Sequence, residues 1–112
     1  MKNKHLYTIG SGNVFEDIGL PNADELLVKA DLTMSIEAII KSRKLTQTKA
    51  GSLMGVSQPE VSRLFKGRFR EYSVDRLMTF LTAFDRDVEI VSRPSVRGQG
   101  ERGSIRFRPV ST

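Results

Sequence analysis

Residues 47–67 read QTKAGSLMGVSQPEVSRLFKG, and this stretch decides the fold. It predicts two short helices, the first over residues 47–54 and the second over residues 57–66, separated by a turn at Gly55. Gly51 falls where the two helices must approach closely. The residues expected to point back into a core are Val56, Val61 and Leu64. The stretch therefore predicts a tight helical pair with a shared apolar side.

The second helix has a recognisable start and a polar outer face. Ser57 is followed three residues later by Glu60, which is a capping-box pattern, and Gly67 ends the helix. The outward residues are expected to be Ser57, Gln58, Pro59, Ser62, Arg63 and Lys66. A helix lodged in a DNA major groove needs such a surface, with short hydrogen-bonding side chains first and cations after them. The segment is predicted to be a helix-turn-helix, the alternative being a plain helical hairpin within another bundle.

Ten residues are predicted to contact DNA. They are Thr46, Gln47, Ser57, Gln58, Pro59, Ser62, Arg63, Lys66, Arg68 and Arg70. Gln58 and Arg63 are the candidates for base edges, because glutamine can bond adenine bidentately and arginine can do the same for guanine. Gln47 is expected to meet a phosphate at a helix N-terminus. Ser57 has two open interpretations, capping and phosphate binding. Lys66, Arg68 and Arg70 are expected to touch phosphate rather than bases, the alternative being that each is simply solvated.

Charge and composition support a DNA-binding helix-turn-helix and argue against a metal site, an enzyme or a membrane protein. The chain has 112 residues, a net charge of +5 and no cysteine. Residues 41–70 contain eight basic residues and a single acid, as an electrostatic footprint for phosphate would. His5 is the only histidine, so a metal site or a catalytic triad is not expected, and neither an enzyme nor a cofactor is predicted. No run of apolar residues is long enough to cross a membrane, so a cytoplasmic, nucleoid-associated protein is expected.

The rest of the chain is predicted to build an all-α domain with one short strand. Residues 1–13 are expected to be a flexible N-terminus, and a long helix over residues 23–44 is capped by Asn22. Its apolar side is predicted to comprise Leu26, Leu27, Ala30, Met34, Ala38 and Ile39, with Ile36 and Ile40 beside them. Thr46 is expected to cap the helix over residues 47–54, and Ser73 to cap a helix over residues 74–84. A strand over residues 87–92 follows, so that the domain spans 14–93. Residues 94–112 are predicted to be an arginine-rich flexible tail.

The stretch from Asn13 to Arg93 resembles the Xre-type, Cro/repressor-like helix-turn-helix antitoxins of the HigA class. The similarity lies in GLPNADELLVKADL before the motif, GVSQPEVSRL within it and YSVDRLMTFLTAFDRDVEI after it. It implies a lambda-repressor-like fold and an operon-repressing dimer that neutralises a RelE/HigB-like ribonuclease toxin. The motif positions that carry over are Gln47, Ser57, Gln58, Pro59, Ser62 and Arg63, whereas Gly51 stands where alanine is usual. The arginine-rich extension is not part of the family pattern.

Two protein interfaces are expected as well. The strand over residues 87–92 has no partner in its own chain, so it is predicted to pair with the same strand of a second subunit through Val88, Ile90 and Val91. Two recognition helices would then lie ~34 Å apart on an inverted-repeat operator. A basic toxin is expected to bind the acidic lead-in at Phe15, Glu16, Asp17, Asp24 and Glu25. A free-standing regulator with no toxin is the alternative.

Overall fold

The computed structural model describes residues 13–110, so the predicted flexible N-terminus lies outside the described residues except for Asn13. Helix α1 spans Val14–Asp17, α2 Ala23–Ser42, α3 Gln47–Met54, α4 Gln58–Phe65 and α5 Val74–Thr82, with a 3₁₀ helix at Arg68–Glu71 between α4 and α5. The predicted order of helices is confirmed. Across residues 13–110, none of these helices has the length and apolar character needed to cross a bilayer.

Three of the predicted helix starts are confirmed by side-chain caps. In each, a hydroxyl oxygen accepts the backbone N–H three residues later: Thr46 from Lys49 at 3.0 Å, Ser57 from Glu60 at 3.3 Å and Ser73 from Arg76 at 3.2 Å. The predicted cap at Asn22 is wrong. Its backbone is left-handed, with φ of 59°, and its side chain makes no cap hydrogen bond. A side chain reaches the first-turn N–H groups from extended backbone, which Asn22 does not adopt.

The turn between α3 and α4 brings the two helices into close contact. Gly55 adopts φ of 80°, and the N–H groups of Gly55 and Val56 both donate to the carbonyl oxygen of Gly51, at 2.8 and 2.9 Å. A Cβ atom on Gly51 would lie 2.6 Å from the carbonyl oxygen of Val56. The predicted close approach at Gly51 is therefore present, and it involves the turn backbone.

The core forms along one stripe of α2 that differs from the predicted one. The buried positions recur every four residues, at Val28, Leu32, Ile36 and Ile40. Met34 is 65% exposed and Ala38 is also exposed, so that part of the predicted stripe is wrong. Because α2 carries apolar residues on more than one side, periodicity alone allows two stripes. Packing against α5 and the turn after it selects one of them, and this packing buries Leu77, Phe80, Leu81 and Phe84.

Two basic side chains, one on α2 and one directly after it, connect this helix to later parts of the chain. Lys29 is buried; its Nζ lies 3.0 Å from a carboxylate oxygen of Glu25 and donates to the carbonyl oxygen of Arg70 at 3.1 Å. Arg43 donates to the carbonyl oxygen of Phe84 at 2.6 Å. The 3₁₀ helix and the end of α5 are thereby positioned against the central helix.

Residues 87–92 do not form the predicted strand in the single chain. Within residues 13–110 no β-ladder forms, and residues 86–95 have irregular backbone. A strand is defined by hydrogen bonds to a neighbour, and the described part of the chain provides none for this segment. Val88 packs half-buried against the core, whereas Ile90 and Val91 are 85% and 71% exposed. The three residues predicted at a dimer interface therefore do not share one environment.

The end of the arginine-rich extension lies against α2. Phe107 is half-buried and packs against the core, and the backbone N–H of Ile105 donates to a carboxylate oxygen of Asp24 at 3.3 Å. Arg106 pairs with Asp31 at 3.7 Å, and Arg86 donates to the carbonyl oxygen of Val110 at 2.9 Å. The predicted domain boundaries remain a prediction, but residues 105–110 have defined contacts with the domain.

Candidate nucleic-acid interface

Helix α4 presents a polar face opposite the side that it buries. Val61 and Leu64 are buried in the core. At 3.6 residues per turn, the positions on the other side of the helix are 58, 59, 62, 63 and 66. Of these Gln58, Pro59, Arg63 and Lys66 are exposed, and Ser62 is half-exposed. The structure thus brings five of the ten predicted DNA-contacting residues onto one outward surface, which we call the α4 face.

A hydrogen bond joins the first residues of α3 and α4. The side-chain amide nitrogen of Gln58 donates to the side-chain oxygen of Gln47 at 2.6 Å. This bond fixes the orientation of the Gln58 amide while leaving its oxygen and one N–H available. Those are the two groups that pair with the N6 and N7 atoms of adenine. The two N–H donors of Gln47 stay available for a phosphate oxygen. The pair therefore couples a candidate base contact to a candidate phosphate contact.

The capping hydroxyls at the starts of α3 and α4 can each form a further hydrogen bond. Thr46 and Ser57 each use a hydroxyl oxygen as an acceptor for a backbone N–H. The O–H of each can still donate, so capping does not exclude a phosphate contact. Both residues are exposed, next to the amide pair. Helix N-termini favour anions, so this edge of the α4 face suits the DNA backbone.

The carboxylate of Glu60 connects α4 to α5 and does not complete the capping box. It accepts a hydrogen bond from the Tyr72 hydroxyl at 2.5 Å and lies 4.0 Å from the Arg76 guanidinium. Arg76 also stacks 5.4 Å from the ring centroids of Tyr72 and Phe80. We call Glu60, Tyr72 and Arg76 the α4–α5 clamp. Burial of the phenol, together with its hydrogen bond to Glu60, raises the pKa of Tyr72 to about 12.

Sequence reasoning did not identify the clamp. The spacing of Glu60 from Ser57 predicts a capping box. Of its two hydrogen bonds, only the one accepted by the Ser57 hydroxyl forms. Tyr72 is 12 residues from Glu60, so no helical or strand period relates them. The only signal available was composition, namely a tyrosine and an arginine in the segment after the motif. The clamp joins α4 to the segment that follows it and to α5.

The basic side chains on and after α4 differ in their contacts within the chain. Arg63, Arg68 and Arg76 line an open depression beside α4. Arg68 forms an ion pair with Glu71 at 3.0 Å, whereas Lys66 and Arg70 are exposed. Exposed ion pairs are weak, so Arg68 could exchange Glu71 for a phosphate at little cost. The predicted phosphate contacts thus border the α4 face on its C-terminal side.

The residues predicted to bind a toxin lie on α1 and the first turn of α2. Phe15 is half-buried, and Glu16 and Asp17 are exposed. Asp24 is already engaged by the Asn13 side chain at 3.2 Å and by the N–H of Ile105, and Glu25 pairs with Lys29. The five residues are therefore close in the fold, and Asp24 and Glu25 each have a known partner within the chain.

Comparison with known proteins gives two matches. A family described as a helix-turn-helix domain matches residues 14–93, which is most of the chain. A solved structure described as an XRE-family transcriptional regulator is similar at 37% sequence identity, with a TM-score of 0.67. The alignment covers 82% of this chain and 100% of that one. No curated protein sequence gives a significant match. The family match ends at Arg93, so the arginine-rich extension lies beyond it.

Proposed function

Because this chain belongs to the helix-turn-helix domain family, we propose that it regulates transcription by binding double-stranded DNA through the α4 face. The observation that carries the proposal is the Gln47–Gln58 hydrogen bond beside exposed Arg63. It places an oriented amide and a guanidinium on the outward side of one helix. That surface suits recognition in a major groove, and the function is one of binding.

The proposed contacts divide into two classes. Gln58 and Arg63 read base edges, adenine and guanine respectively. Gln47, the two helix starts and the cations after α4 hold the phosphates on either side and so set the register of α4 in the groove. The clustering of basic residues in 41–70 adds a sequence-independent attraction that weakens as salt rises. Specificity comes from the first class and most of the affinity from the second.

We propose that the protein acts as a homodimer on an inverted repeat. Ile90 and Val91 support this, because two neighbouring aliphatic side chains are largely exposed after the last helix. Covering them with a second copy would bury apolar surface and set two α4 helices ~34 Å apart, which is one turn of DNA. Light scattering that finds a monomer at micromolar concentration would refute the dimer.

We further propose that the protein is the antitoxin of a toxin–antitoxin pair, which represses its own operon and binds a RelE/HigB-like ribonuclease. The support is the sequence resemblance together with the exposed acids Glu16 and Asp17 on α1, since a toxin that acts on RNA is basic. A free-standing regulator is the alternative. A neighbouring reading frame that encodes a small basic protein would favour the antitoxin, and its absence would favour the alternative.

The proposed DNA function is tested by titrating the protein against its own upstream DNA and against a scrambled sequence over a range of salt. A preference above roughly a thousandfold for upstream DNA, with a steep salt dependence, is the expected result. Equal, salt-sensitive binding to both would refute sequence-specific regulation.

Arg63→Ala separates the two classes of contact. It is expected to cost about 1–3 kcal/mol on the operator and to relax one base position. Arg93→Ala removes the same charge at the end of the domain, away from the α4 face in sequence, and is the matched control, with nearly unchanged specificity. If Arg63→Ala weakens binding equally on all sequences, Arg63 contacts phosphate and the base assignment is wrong.

The antitoxin role has its own test. Glu16→Lys should abolish neutralisation of the toxin in co-expression, because it reverses charge on the proposed toxin surface. Glu89→Lys reverses an exposed charge elsewhere and is the control. Operator binding should be unchanged in both variants, and neutralisation that survives Glu16→Lys would argue against this surface.

A further inference from the structure

The C-terminal residues 105–110, which we call the strap, occupy a surface that belongs to the domain. The strap lies beyond the family match, yet it contacts α2 at two acidic residues, Asp24 and Asp31. The next residue of the strap, Phe107, is half-buried against the core. The strap thus presents a backbone N–H, an arginine and an aromatic ring to three separate features of the domain.

The strap is complementary in charge to the surface beneath it. Its arginines are Arg106 and Arg108, and the surface offers the carboxylates of Asp24 and Asp31. The Arg106–Asp31 separation is 3.7 Å, and the buried Oδ2 of Asp31 has no hydrogen-bond partner among the described residues. Charge-assisted hydrogen bonds are shorter than this, at about 2.7–2.9 Å. The strap therefore pairs with Asp31 incompletely, and another arginine could pair with it better.

The connection to the strap permits its release. Every residue from 94 to 104 is exposed, and Gly98 and Gly100 adopt positive φ. No hydrogen bond or ion pair joins this linker to the helices among the described residues, so the strap is held to the domain by its own contacts. A tethered segment competes with a separate molecule only through its effective concentration, which is of order millimolar for a short flexible linker.

The surface is continuous with the proposed toxin-binding residues. Asp24 accepts the Ile105 N–H on one carboxylate oxygen and the Asn13 side chain on the other, at 3.3 and 3.2 Å. Asn13 in turn caps α1 by accepting the N–H groups of Phe15 and Glu16. A molecule bound at α1 would reach the edge of the strap.

We propose that Asp24, Asp31 and the edge of the core covered by Phe107 form a docking surface for an extended, arginine-containing segment of a partner protein. The strap occupies this surface in the absence of the partner and is displaced by it. The inference rests on the proposed antitoxin function for the partner's identity, a basic ribonuclease. The docking surface itself rests on the contacts that the strap makes with Asp24, Asp31 and the core.

The test uses a fluorescent peptide with the sequence of residues 101–112, ERGSIRFRPVST, and full-length protein. In the double variant Arg106→Ala, Phe107→Ala the strap is released, so this variant should bind the peptide at least about tenfold more tightly than wild type, by anisotropy. A peptide carrying Arg106→Glu should lose that binding. Adding Asp31→Asn to the released variant should also weaken its binding of the unmodified peptide.

Equal binding to wild type and released variant, or equal binding of the charge-reversed peptide, would overturn the proposal. Arg106→Glu in the full chain keeps Phe107 and provides a second released variant if the double variant unfolds. Dimers that form by exchange of straps, and that the peptide dissociates, would assign the surface to a second copy and refute the partner protein. Operator binding is measured in parallel: its absence in wild type would refute the proposed DNA function and leave the peptide result standing.

Discussion

Gly51→Ala should destabilise the protein even though it improves a helix. An alanine Cβ at this position would lie 2.6 Å from the Val56 carbonyl oxygen and 3.3 Å from a methyl carbon of Val61. The first of these is a backbone atom in the turn and cannot rotate away. Because the Gly51 carbonyl oxygen accepts the N–H groups of Gly55 and Val56, any adjustment moves the turn relative to α3.

The magnitude is a difference between two effects. Replacing glycine by alanine inside a helix stabilises it by about 1 kcal/mol. Overpacking a close contact costs typically about 1–3 kcal/mol, and a backbone clash belongs in the upper part of that range. The expected net loss in the free energy of unfolding is about 1–2 kcal/mol. For a domain of this size it corresponds to a fall in melting temperature of roughly 5–15 °C.

The assay is thermal unfolding followed by circular dichroism, together with operator binding. Ser52→Ala changes the neighbouring, exposed position on α3 and is the matched control, with a stability equal to wild type or slightly higher. Gly51→Ala should also weaken operator binding, because moving the turn displaces α4. The displacement would break the hydrogen bond between the Gln58 amide nitrogen and the Gln47 side-chain oxygen, which are 2.6 Å apart. A higher melting temperature with unchanged operator affinity would refute the reasoning.

The other predictions concern separate parts of the molecule. Gln47→Ala should weaken operator binding more than it weakens binding to scrambled DNA, because Gln58 loses its partner; an equal loss on both DNAs would make Gln47 a phosphate contact only. Tyr72→Phe should reduce the loss of stability expected of wild type between pH 10 and 12. The folded pKa of about 12 favours the neutral phenol, and its contribution to stability is lost as the pH rises through this range. Urea midpoints that fall equally in wild type and in Tyr72→Phe between pH 10 and 12 would contradict this prediction. Ile90→Asp should convert the proposed dimer to a monomer in light scattering with little change in melting temperature, because the side chain is exposed in the single chain. Phe84→Ala, in the core, should lower the free energy of unfolding by about 3–5 kcal/mol in urea unfolding, and a loss below about 1 kcal/mol would mean that the core collapses around the cavity.

The sequence by itself determined the features whose cause is local. The caps at Thr46, Ser57 and Ser73 each join atoms three residues apart, and the turn at Gly55 depends on one backbone conformation that glycine adopts freely. The outward face of α4 follows from one helical period and a narrow apolar stripe. Such features could be predicted, and they were confirmed.

Tertiary structure alone decided the features that join distant segments. Gln47 meets Gln58, Tyr72 meets Glu60, and the strap meets Asp24 across 81 residues of sequence. The choice of the buried stripe on α2 and the absence of the expected strand belong to the same class. An apolar stripe is selected only by the helix that packs on it, and a strand exists only if a neighbour accepts its hydrogen bonds. Periodicity describes one segment at a time, whereas these contacts depend on which segments the folded core brings together.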